Sequence, residues 1–242
     1  MDFKTTLLAD LNSEQREAVA ASLDNLLVLA GAGSGKTRVL VHRIAWLVQV
    51  EHIPLHHILT VTFTNKAATE MKNRISTLLA RPLSGLWVGT FHGLAHRLLR
   101  RHWQEAALPK NFQILDVDDQ LKMVKRVLKD LALDEKAWPA KTSQWYINSK
   151  KDEGLRPQSL DGYEDVNEQI RIKIYQAYEE ACGHAGVVDF AELLLRAHEL
   201  WLQQPELLAH YQQRFGHILV DEFQDTNTIQ YAWIRLLAGA QG

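Results

Sequence analysis

Lys36 and Thr37 close the stretch "AGAGSGKT" (30–37), and Asp221 and Glu222 follow the apolar run "HILV" (217–220). An ammonium, a hydroxyl and a pair of carboxylates are the groups that phosphate-anhydride hydrolysis needs. The lysine reaches the terminal phosphates. The hydroxyl and one carboxylate hold Mg²⁺, and the other carboxylate orients and deprotonates an attacking water. The first stretch fits a phosphate-binding loop with a single departure, Ala30 standing where a Gly is usual. Small residues let backbone N–H groups curl around phosphate oxygens at the start of the next helix. The candidate cradle is therefore Ala30, Gly31, Ala32, Gly33, Ser34, Gly35, Lys36 and Thr37. The candidate metal donors are Thr37 and Asp221, and the catalytic group is Lys36, Asp221 and Glu222. A kinase that transfers to a substrate hydroxyl has no use for the second carboxylate, so Asp-Glu favours hydrolysis.

These groups need strands to carry them. The run "NLLVLA" (25–30) reads as a strand buried on both faces, because it is apolar without alternation. Before it, "LNSEQREAVAAS" reads as a helix opened by Asn12 or Ser13 as N-cap. After the loop, a helix from about 37 to 50 places Val39, Leu40, Ile44 and Leu47 at helical spacing. The pattern repeats. "HILTVTF" (57–63) is a strand followed by a helix over 66–80, and "LWVGTF" (86–91) is a strand followed by "HGLAHRLLRRHW". Strands alternating with helices predict an α/β fold with a parallel sheet and right-handed crossovers.

From about 94 to 213 the reading is helical, with segments over 116–133, 167–183 and 189–202, before a strand returns at His217. That predicts an α/β domain formed by 1–93 and 214–242, with a helical subdomain, 94–213, inserted in it.

Composition narrows the class. Hydrophobic residues are 46% and charged residues 23%, an ordinary globular balance. Lys plus Arg is 27 and Asp plus Glu is 29, a net charge of −2, so any basic surface must be local. The single cysteine, Cys182, forms no disulfide within the chain, which fits a reducing cytoplasm; it reads as a small apolar side chain on a helix face. No secretory signal opens the sequence, and no run approaches the ~20 apolar residues that cross a bilayer. His92 and His96 have zinc-binding spacing, but Gly93 stands where a metalloprotease has Glu, so no metal site is read there. Lys122, Lys125, Arg126 and Lys129 form a basic stripe, either a solvated helix face or a contact for DNA phosphates.

Five stretches together, "LNSEQREAV" (11–19), "AGAGSGKTRVL" (30–40), "TFTNKAATEMKNRI" (62–75), "VGTFHGLAHRLLR" (88–100) and "LVDEFQDTNTIQ" (219–230), resemble superfamily 1 DNA helicases of the UvrD/Rep/PcrA type. The resemblance runs over essentially the whole chain. It implies a RecA-like P-loop NTPase domain that uses ATP and Mg²⁺ to move 3′-to-5′ on single-stranded DNA. It also implies action at single/double-strand junctions, and work with repair proteins in nucleotide excision and mismatch repair. By resemblance Gln15 reads the adenine edge, for which an amide offers both a donor and an acceptor. Arg38 packs on the base, and Gln224 and Asp225 couple the site to the rest of the motor. Phe63, Thr64 and Asn65, and then Thr90 and His92 beside Phe91, are the implied single-strand contacts. Stacking on Phe63 would be worth ~1–3 kcal/mol and tolerate any base, although strand alternation also allows Phe63 to be core.

The family carries a second RecA-like domain with arginine fingers, which these 242 residues do not hold. The chain therefore reads as an N-terminal part whose further partners are its own C-terminal domains. On that reading it hydrolyses ATP poorly by itself and does not unwind. Two alternatives stay open: a nucleotide-independent DNA-binding module, and a P-loop phosphotransferase that is not a helicase.

Overall fold

The structure is a computed structural model and describes residues 3–31, 33–162 and 165–239. Its strands are β1 (Ile58–Thr62), β2 (Trp87–Thr90), β3 (Gln113–Ile114), β4 (Val187–Val188) and β5 (His217–Val220). Its helices begin with α1 (Phe3–Leu8), α2 (Ser13–Ala20), α3 (Lys36–Gln49), α4 (Asn65–Leu79), α5 (Phe91–Arg101) and α6 (Val117–Asp130). They continue with α7 (Ala140–Asp152), α8 (Val166–Ala185), α9 (Phe190–Gln203), α10 (Pro205–Arg214) and α11 (Thr228–Ala238). The chain divides into two compact units. One comprises Met1–Leu94, Glu206–Asp225 and Arg235–Gly242; the other comprises Ala95–Pro205 and Thr226–Ile234. The division falls within α5 and α11.

The first unit is of the α/β class. Its sheet is parallel, in the order β2-β1-β5, with Thr62 opposite Thr90 and Val61 opposite Val220. β1, "ILTVT", is buried at every residue, as a central parallel strand covered on both faces requires. α4 keeps Ala68, Met71, Ile75 and Leu79 buried at helical spacing, and the last three pack with Ile44, Ala45 and Leu47 of α3 in one core. Asn12 is the N-cap of α2 in a full capping box with Gln15.

The strand expected at 25–30 does not form. Asn25–Ala30 is in no ladder, and Leu26, Leu27, Val28 and Leu29 are 51%, 69%, 39% and 85% exposed. An apolar run encodes a tendency to be buried, not a pairing partner. The described sheet leaves the outer edge of β5 free, and Asn25–Ala30 does not lie on it. The chain is also held upstream of the run. Arg43 on α3 donates to the carbonyls of Val19, Ala21 and Ser22 at 2.9, 2.5 and 2.6 Å, fixing the exit from α2 against α3.

The second unit packs α6, α7 and α8 around Val124, Val127, Leu128, Ile147, Ile174, Tyr175 and Tyr178. It is not wholly helical, for β3 and β4 form a short parallel pair, Gln113 with Val187 and Ile114 with Val188. The basic stripe on α6 is solvent-exposed and ion-paired, Lys122 to Asp119 at 2.8 Å, Lys125 to Glu135 at 3.4 Å and Arg126 to Asp130 at 3.9 Å. Cys182 is buried on α8, and burial pushes its thiol up to about 12.

The core of this unit also holds charge. Lys151, 1% exposed, lies 2.7 Å from Glu179, 2.8 Å from Asp189 and 2.9 Å from Glu192. Arg156 pairs with Glu179, Glu192 and Glu199, and Arg196 adds a second guanidinium to Glu192. Asp189 is the hub. One oxygen caps α9 through the Glu192 N–H at 2.7 Å, and the other accepts from Lys151, Tyr178 and Gln120. Burial alone would raise the Glu192 carboxyl, but Lys151 and Arg156 outweigh it and hold the group far below its ordinary value. Burial likewise opposes the Lys151 charge, and the surrounding carboxylates hold its ammonium well above the ordinary lysine value.

Candidate functional site

The loop after residue 30 turns on glycines in the left-handed region, Gly33 at φ 76° and Gly35 at φ 87°. Gly35 has a further constraint: a Cβ there would stand 2.8 Å from Gln15 Nε2. Ser34 Oγ donates to the Gly31 carbonyl at 2.7 Å and tightens the loop. Ala32 lies outside the described residues. α3 starts at Lys36 with Gly35 as N-cap and no side-chain cap. Its first-turn N–H groups and the positive end of its dipole therefore face the loop without a competing acceptor from the chain's own caps.

Lys36 Nζ donates to the carbonyls of Ala30 and Gly31 at 3.2 and 3.3 Å and lies 3.9 Å from Glu222 Oε1. The structure thus brings the loop lysine to the carboxylate that follows β5. Thr37, beside it at the start of α3, is half-buried, while Arg38 is exposed. Asp221 is buried and extends the β5 alignment, its N–H donating to the Val61 carbonyl at 2.9 Å. Burial, and then the Glu222 charge, raise the Asp221 carboxyl above its usual range, with Lys36 acting against them. Glu222 sits at φ 50°, a left-handed backbone that costs a non-glycine residue roughly 1–2 kcal/mol. The turn that demands it is closed by the Asp225 N–H on the Glu222 carbonyl at 2.9 Å, and Gln224 Nε2 donates to Glu222 Oε2 at 2.6 Å.

Gln15 reaches the loop as well. Its carbonyl accepts from the Asn12 N–H at 3.2 Å, and its amide donates to the Ser34 carbonyl at 2.9 Å. Both ends of the side chain are engaged, and they tie α2 to the loop.

A third group forms where β1 and β2 end. The parallel register puts Thr62 beside Thr90, so Phe63–Asn65 and Thr90–His92 leave the sheet side by side. Phe63 is half-buried and meets Phe91 edge-on at 5.5 Å. Thr64 Oγ1 accepts from the Ala67 N–H and Thr90 Oγ1 from the Gly93 N–H, each at 3.1 Å. Each hydroxyl caps a helix and keeps its hydrogen for an outside acceptor. Asn65 is exposed, and burial depresses the His92 imidazole below its ordinary value. All these groups stand at the carboxyl ends of the strands, where open α/β sheets bind ligands.

Sequence reasoning missed three features of the chemistry: the strained backbone of Glu222, the Gln15–Ser34 tie and the charged core of the second unit. Only the last left a signal. Lys151 stands four residues after Ile147 and Glu192 directly precedes Leu193, Leu194 and Leu195, so both charges fall on faces that the helical period buries.

A sequence model of the UvrD/REP helicase N-terminal domain matches residues 11–242. The chain is 65% identical to DNA helicase II of Escherichia coli over 236 residues, which cover 98% of this chain and 33% of that protein. It is 60% identical to DNA helicase II of Haemophilus influenzae, covering 98% of this chain and 33% of the relative. It is 41% identical to the ATP-dependent DNA helicase PcrA of Bacillus subtilis, covering 96% of this chain and 32% of the relative. The chain thus spans about a third of the length of the curated relatives it matches.

Proposed function

The chain belongs to the UvrD/REP helicase family, and from that premise we propose that it is the ATP-binding part of a 3′-to-5′ DNA translocase and helicase of excision and mismatch repair. The observation that carries this reading is the uncapped start of α3, with Lys36 held between loop carbonyls and Glu222. Nothing ties Lys36 as a buried ion pair would, so an arriving phosphate can take its ammonium. The first-turn amides of α3 and the loop N–H groups between Ala30 and Thr37 bind the phosphate oxygens.

The donor set also fits Mg²⁺. A hydroxyl at Thr37 and a carboxylate at Asp221 are hard oxygen donors, and the raised Asp221 carboxyl beside Glu222 is a pair of like charges that a cation relieves. When bound, the metal supplies charge neutralisation at the terminal phosphates. Glu222, on its strained turn and oriented by Gln224, accepts the proton of the attacking water. Gln15 exchanges its bond to the Ser34 carbonyl for the adenine edge, and exposed Arg38 packs on the base. At the strand ends, Phe63, Thr64 and Asn65 with Thr90 and His92 hold single-stranded DNA, including strands at duplex junctions. In this scheme 1–93 and 214–242 form the motor domain and 94–213 the insertion. A cytoplasmic setting accords with the single cysteine. Among the described residues no helix is long and apolar enough to cross a membrane.

The test is nucleotide affinity, read with a fluorescent ADP analogue and Mg²⁺, for the chain and for Lys36→Ala. A loss of roughly tenfold or more is expected, since a charge-assisted phosphate contact is removed. Unchanged affinity would mean that the loop is structural. Steady-state ATP turnover with and without single-stranded DNA, set against Glu222→Gln, then identifies the proton acceptor. Any turnover present should fall by ~10²–10⁴ in the variant.

A further inference from the structure

At the end of the sheet opposite the phosphate loop, a cavity of about 430 Å³ is lined by His56, His210, Gln213 and Arg214. His56 lies in the short turn that leads into β1, and the other three lie on the last turns of α10. Arg214 is half-buried. Its guanidinium lies over two rings, 5.5 Å from the centroid of Trp87 and 5.4 Å from that of Phe215. Its Nε is buried with no hydrogen-bond acceptor, and among the described residues no carboxylate pairs with it. Other half-buried arginines of this chain are satisfied. Arg43 holds three carbonyls and Arg156 holds three carboxylates. A buried guanidine N–H without an acceptor is costly to keep, and the cavity opens beside the rest of the group.

We propose that this cavity is a socket for a carboxylate carried by an acidic segment of a protein partner. The two rings, set edge-to-face 61° apart, flank the guanidinium, and its planar fork matches the two oxygens of a carboxylate. Gln213 and the two imidazoles add polar groups at the rim, and no acid lines the cavity to compete. A nucleic-acid track needs several basic groups in succession, and this cavity has one arginine and no lysine. The site also lies before β1, whereas Asp221 and Phe63 lie just beyond the carboxyl ends of their strands and Thr90 at the end of β2. An occupant therefore leaves the nucleotide and DNA groups uncovered.

The test is fluorescence anisotropy of a labelled oligoglutamate peptide on the 242-residue chain. Labelled single-stranded oligonucleotide and fluorescent ADP are run in parallel. Two variants are compared, Arg214→Gln and Gln213→Glu. Gln213 is exposed, so the second leaves the core intact and adds only a repelling charge. Salt-sensitive binding is expected that weakens roughly tenfold or more in both variants, with ADP and oligonucleotide binding unchanged. Peptide binding that is absent, or equal in all three proteins, overturns the proposal. So does loss of oligonucleotide binding in Gln213→Glu without an effect on the peptide, which would make the socket a phosphate site.

Discussion

Two lysines of this chain sit among oxygen atoms in opposite ways. Lys151, in the helical unit, has three carboxylates within 2.9 Å and is 1% exposed. Lys36, in the α/β unit, has two main-chain carbonyls at 3.2 and 3.3 Å and one carboxylate at 3.9 Å. The first ammonium is over-satisfied by charge and shut away from water. The second is held weakly and stays within reach of solvent. The difference separates a charge that fixes a structure from a charge kept ready for a ligand. Arg156 and Arg214 repeat it with guanidinium groups. Neither the residue type nor the degree of burial decides the role; the completeness of the partner set does.

The contrast breaks most visibly at Lys151. Lys151→Met leaves Glu179, Asp189 and Glu192 facing one another in the core, and removal of one partner from a buried network costs about 3–5 kcal/mol. Urea unfolding followed by circular dichroism should show that loss. A cost near zero would mean that the network is solvated. Lys36→Met, by contrast, should leave the unfolding midpoint within the scatter of surface substitutions while nucleotide affinity falls.

Acid gives the next largest effect. Because Glu192 is held below its ordinary 4.5, it contributes stability that is present above pH 4.5 and lost as pH falls through the window below it. Glu179 runs the other way, raised by burial and by Glu192. The melting temperature should fall steeply below that pH, and Glu192→Gln should flatten the fall.

Asn12→Ala removes the capping box of α2 and should cost about 1 kcal/mol by thermal unfolding. Asp221→Asn carries the opposite sign. The raised carboxyl means that its ionised form is disfavoured in the fold, so the amide should raise the melting temperature at neutral pH. The gain should shrink as pH drops through the carboxylate range, and it should come with a loss of Mg²⁺-dependent nucleotide affinity. Smallest of all, Lys122→Ala should leave melting unchanged, since its pair with Asp119 lies in solvent.

Much of the α/β unit was legible because its signals are local. The alternation of strand and helix through "HILTVTF" and "LWVGTF" returns as β1 and β2, and Asn12 caps the helix that its side chain allows. What stayed hidden depends on partners remote in sequence. "NLLVLA" is as apolar as β1 and forms no strand although β5 leaves an edge free, because composition encodes burial and not a pairing partner. The meeting of Lys36 with Glu222 could be guessed from residue types alone. The engagement of both ends of Gln15 could not, because a solvated glutamine and a latched one read alike. The hub at Asp189 joins α6, α7, α8 and α9 over separations of up to 69 residues, which no window along the chain can reveal.

The exposed leucines before the phosphate loop also bear on how the protein behaves as a material. Leu23, Leu26, Leu27 and Leu29 are each more than half exposed, and the six residues from Asn25 carry no charge and no proline. Segments of that kind stack readily with copies of themselves into cross-β ribbons. The shelf life of the purified chain should therefore fall with concentration well below its melting temperature, with thioflavin-positive particles appearing first. A single lysine in place of Leu27 should extend it without moving the melting curve.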